Sequence, residues 1–80
     1  MKALDTLGRK AGLLSLEIFV ASRSELRKIA DEAEALCRKA SKLASQLEDA
    51  GDMEGRKQAA SIFKIANAAH HNALQRWRAP

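Results

Sequence analysis

The chain has 80 residues, 14 basic and 10 acidic, a net charge of +4, and 46% of its residues are apolar. That length makes one domain, near the lower limit at which a single core holds a fold, burying only about 60% of the surface of its unfolded chain. A single cysteine excludes an internal disulfide and suits a reducing, cytoplasmic compartment, and one proline (the last residue) and four glycines leave no basis for a sheet.

The first predicted helix covers residues 3–21. Leu4, Leu7, Ala11, Leu14, Ile18 and Ala21 step by three and four along one face. Leu13, Leu16, Phe19 and Val20 fall outside that face, and between Ala11 and Ala21 only Ser15 and Glu17 are plainly polar. A helix apolar almost all round must be covered on more than one side. Lys2, Arg9 and Lys10 ahead of this stretch loosely resemble a secretory leader, but Glu17 within it and Asp5 before it argue against that reading. The stretch is too short to span a bilayer, and a membrane partner is not expected.

A second helix is expected over 23–50. Its start carries capping-box spacing, with Ser22 three residues before Glu25. Leu26, Ala33, Ala40 and Leu47 hold one seam position and Ile29, Leu36, Leu43 and Ala50 the other, a heptad of one helix packing along another. Nothing between Leu13 and Ala50 forbids one continuous helix, but Ile18, Ser22 and Leu26 are spaced by fours, a phase change that agrees with a bend at Ser22. Glu34 and Arg38 are placed for an i,i+4 pair on a face of mixed charge, which reads as solvated; no basic stripe and no helix-turn-helix is evident.

Gly51 suits a helix-closing residue and Asp52 the cap of a third helix over 53–78, with Glu54 in its first turn. That helix carries Ala59, Ile62, Phe63, Ala66, Ala69, Ala73, Leu74 and Trp77 as a broad apolar stripe. Folding back at 51–53 sets Leu43 near Ile62, Leu36 near Ala69 and Leu26 near Trp77. The implied fold is all-α: residues 1–80 as one domain, a three-helix up-down-up bundle built on an antiparallel helical hairpin, and dimerising to cover the first helix.

Chemistry is sparsely signalled. His70 and His71 are adjacent and point about 100° apart, so they cannot share a metal as an i,i+4 pair does. His70 falls on the side where Cys37 or Glu34 comes within reach across the hairpin, and Cys37 reads as seam filler. No catalytic residue, cofactor site or metal site is assigned. Basic excess sits in residues 51–80, five basic groups against two acidic. Arg76, Trp77 and Arg78 admit three readings: a bundle end with arginines on the helix dipole, a protein anchor at Trp77, or phosphate contacts from Arg76 and Arg78.

The sequence therefore points to a small non-enzymatic interaction module acting as a homodimer and on an unidentified protein. Its interface residues are Leu13, Leu16, Phe19, Val20 and Trp77. A nucleic-acid accessory role for the basic C-terminal helix stands as the alternative.

Overall fold

A computed structural model describes residues 2–79 and contains three helices: α1 (Lys2–Glu17), α2 (Arg23–Asp49) and α3 (Met53–Arg78). The all-α three-helix bundle is thus the architecture of the chain. Helices α2 and α3 form the antiparallel hairpin. The shorter α1 lies along it, touching more of α3 than of α2. Its start borders Lys42 and Leu43 of α2 and its end reaches Ala69 and Arg76 of α3, so α1 runs antiparallel to α2 and parallel to α3.

The breaks between helices follow from local chemistry. Ser22 adopts an extended conformation (φ −71°, ψ 168°), and its Oγ accepts from the Glu25 backbone N–H at 3.4 Å, so α1 and α2 are separate helices. The Glu25 carboxylate accepts from the Ser22 hydroxyl at 2.7 Å, rather than reaching back to the Ser22 backbone as a reciprocal capping box requires. At the other end of α2, Gly51 takes φ +79°. The N–H groups of Gly51 and Asp52 donate to the carbonyls of Glu48 (3.0 Å) and Leu47 (2.8 Å), a Schellman closure that needs a residue free of a Cβ penalty. Asp52 then caps α3, its Oδ1 accepting from the Gly55 N–H at 2.9 Å.

Among the described residues, alanine supplies eight of the sixteen buried apolar side chains: Ala11, Ala30, Ala33, Ala40, Ala59, Ala66, Ala69 and Ala73. From α3, Gly55, Ala59, Ala66, Ala69 and Ala73 are all buried, with Ile62 the one large side chain among them. Facing them stand the larger Leu26, Ile29, Leu36 and Leu47 of α2, interleaved with Ala30, Ala33 and Ala40. Small against large lets the two helix backbones approach closely while the seam stays filled.

Several details depart from the sequence reading. The first helix ends at Glu17, not at 21. Its last turn tightens, the Phe19 and Val20 N–H groups donating to Leu16 and Glu17 three residues back, because the chain must swing round to Ser22. Ala50 is the exposed C-cap of α2 rather than a seam residue, and Leu43 is only half-buried, because α1 and α3 cover that end of α2 incompletely. Phe63 is exposed, lying at the edge of the α3 stripe. Across the hairpin Arg27 meets Trp77, close to the expected level of Leu26; Ala30 meets His70 and Cys37 meets Phe63, a few residues from the expected Leu36–Ala69 level.

Candidate interaction surface on the first helix

The faces of α1 divide cleanly. Leu4, Ala11, Leu14 and Ile18 point into the core and are at most 5% exposed. Leu13, Leu16, Phe19 and Val20 are 58%, 68%, 69% and 85% exposed. At 100° per residue, Leu13 and Leu16 lie on the side of α1 directly away from the hairpin, and Val20 is exposed in the turn that follows the helix. Large apolar side chains scattered singly need no explanation; Leu13 and Leu16 on one helix face, with Phe19 and Val20 exposed just beyond them, do.

Phe19 sits just past the helix end. The Arg76 guanidinium carbon lies 4.9 Å from its ring centroid, a cation–π contact tying the end of α1 to the last turn of α3. Trp77 is not part of the same surface. It is half-buried against the core, with the Arg27 guanidinium 5.1 Å from its ring centroid. The last turn of α3 thus holds α1 through Arg76 and α2 through Trp77. Arg78 is exposed. Of the residues singled out from sequence, Leu13, Leu16, Phe19 and Val20 are all exposed, whereas Trp77 is half-buried against the core.

A second feature of α3 was missed by reading its charges as a sum. Lys57, Lys64, His71 and Arg78 recur every seven residues, so they line one side of the helix, and all four are exposed. The acidic residue within α3, Glu54, borders the start of this row, three residues before Lys57. Seven-residue spacing was the signal available in the sequence. Arg56, by contrast, is drawn across the turn to Glu48 at 3.7 Å.

His70 and Cys37 are not paired in the structure. His70 Nδ1 donates to the Ala30 carbonyl oxygen at 2.9 Å, two turns from Cys37 along α2, so the imidazole does not engage the thiol or Glu34. Burial pushes the Cys37 thiol above its ordinary pKa, and the nearby Glu34 carboxylate pushes it further the same way. Arg38, which could have countered this, pairs instead with Glu34 at 2.7 Å. Among the described residues no group of three or more His, Cys, Asp or Glu side chains is placed to hold a metal ion, and no helix is long and apolar enough to cross a membrane. No protein-family model matches the chain, and neither a curated protein nor a solved structure matches it.

Proposed function

We propose that the chain is a small non-enzymatic interaction module that works as a homodimer, with the outer face of α1 as its interface. One observation carries this reading: Leu13 and Leu16 face away from their own hairpin and, with Val20 in the turn after α1, are 58–85% exposed. Each such side chain gains about 1.5–3 kcal/mol on full burial, a gain the monomer leaves unused. A second copy offers an identical face, and a two-fold axis closes the pair without leaving a further apolar edge. Cytoplasmic action as an adaptor, inhibitor or assembly factor is part of the proposal, supported by the unpaired Cys37. Replacing Leu16 and Phe19 together with glutamine tests it. The variant should remain helical by circular dichroism and lose the dimer; a dimer that survives the double substitution would exclude this face.

A second reading is favoured by the row Lys57, Lys64, His71 and Arg78. An exposed row holding Lys57, Lys64 and Arg78 suits a polyanion such as a nucleic-acid backbone. Binding to an arbitrary DNA duplex should then weaken steeply with salt. Lys57→Ala and Lys64→Ala should each lower the slope of log affinity against log salt by about 1. No retention at low salt would dismiss this reading.

A further inference from the structure

We infer that two copies pair through their first helices in antiparallel orientation, with Lys10 of each copy facing Glu17 of the other. This rests on the homodimer reading and adds the orientation. The outer face of α1 carries a seam of its own: Thr6 and Leu13 hold one position and Arg9 and Leu16 the other, all exposed, with Val20 exposed just past the helix end. On one flank of this seam stand Lys10 and Glu17; on the other stand Asp5 and Gly12.

Antiparallel helices bring equivalent flanks together, whereas parallel helices bring opposite flanks together. In the antiparallel pair Leu13 and Leu16 interleave with Leu16 and Leu13 of the other copy at the centre. Lys10, three residues before Leu13, then meets Glu17, four residues after it. The two-fold axis makes two such pairs. The second flank is permissive, since nothing lies within 4 Å of the position a Gly12 Cβ would take. Arg9 falls level with the end of the other copy's α1, where its charge stays in water. Parallel pairing would instead set Arg9 against Arg9 in the seam, a like-charge contact. Among the described residues the ion pairs within the chain involve neither Lys10 nor Glu17, which leaves both for a partner.

Sedimentation equilibrium on the full chain, from low to high micromolar concentration, tests the orientation. Lys10→Glu sets carboxylate against carboxylate twice over, and Glu17→Lys sets ammonium against ammonium. Each should weaken dimerisation about ten-fold at low salt, and the double exchange should restore it. All variants should keep the same helical signal, because both positions are exposed. If the unmodified chain dimerises but neither single exchange weakens it, the antiparallel arrangement falls while the homodimer stands. Rescue of Lys10→Glu by Asp5→Lys rather than by Glu17→Lys would establish the parallel arrangement instead. A monomer at every concentration would overturn both the orientation and the homodimer.

Discussion

The imidazole of His70 donates from Nδ1 to the backbone carbonyl of Ala30, 2.9 Å away on the neighbouring helix. A side chain of one helix reaches the main chain of another only where the backbones run close, and here the alanines of both seams allow it. The Ala30 carbonyl is positioned to accept its own helix bond as well, so loss of the imidazole does not orphan it. His70→Ala should therefore cost about 1 kcal/mol, the net worth of one hydrogen bond. Denaturant unfolding at fixed m-value measures it, and an unchanged midpoint would mean that the bond contributes nothing in solution.

Ala33 and Ala40 are both 0% exposed in the seam against α3. Replacing either with leucine inserts three carbons where no space exists and should destabilise by about 1–3 kcal/mol. For a domain of this size each kcal/mol lowers the melting temperature by about 4–8 °C. Unchanged melting in both variants would mean that this face of α2 does not meet α3.

Two helical glycines should respond oppositely to alanine. Gly12 has open space where a Cβ would go, so Gly12→Ala should stabilise by about 1 kcal/mol through helix propensity alone. At Gly55 the same atom would lie 2.7 Å from Asp52 Oδ2 and displace the capping carboxylate. Losing that cap costs about 0.5–2 kcal/mol and offsets the propensity gain. Thermal melts of the two variants check this; a gain at Gly55 equal to that at Gly12 would show that the Asp52 cap is dispensable.

How much of this was legible in the chain varies by element. The helix boundaries at Ser22, Gly51 and Asp52 were readable because each marks a distinct terminal need: an acceptor for free N–H groups, or a left-handed residue. The end of α1 was not, because Ile18, Phe19 and Val20 continue the apolar pattern through a turn that tightens without any Gly or Pro. The level of α3 against α2 was also unreadable in detail. Ala59, Ala66 and Ala73 repeat the same small residue every seven positions, so the seam looks alike when slid by a heptad, and the turn decides. The exposed residues of α1 were visible as apolar residues outside the seam; that Trp77 turns toward α2 instead needed the contact with Arg27.

Cys37 should be a sluggish thiol. Burial and Glu34 both hold its pKa up, so at neutral pH a smaller fraction is thiolate than in an ordinary cysteine. Alkylation by iodoacetamide should run slower in the folded chain than in the denatured one, rising at more alkaline pH than for a free thiol. Glu34→Gln should speed it. Alkylation faster in the folded chain than in the denatured chain would contradict this placement of the thiol.

Whether the outer face of α1 is covered by a second copy is decided most directly by the mass of the unmodified chain in solution. Light scattering at micromolar concentration, coupled to size exclusion, should give about twice the 8.7 kDa chain mass, with the mass falling toward one chain on dilution. A mass of one chain throughout that range, with helicity intact, would contradict the homodimer and leave Leu13, Leu16 and Val20 for a different protein to cover.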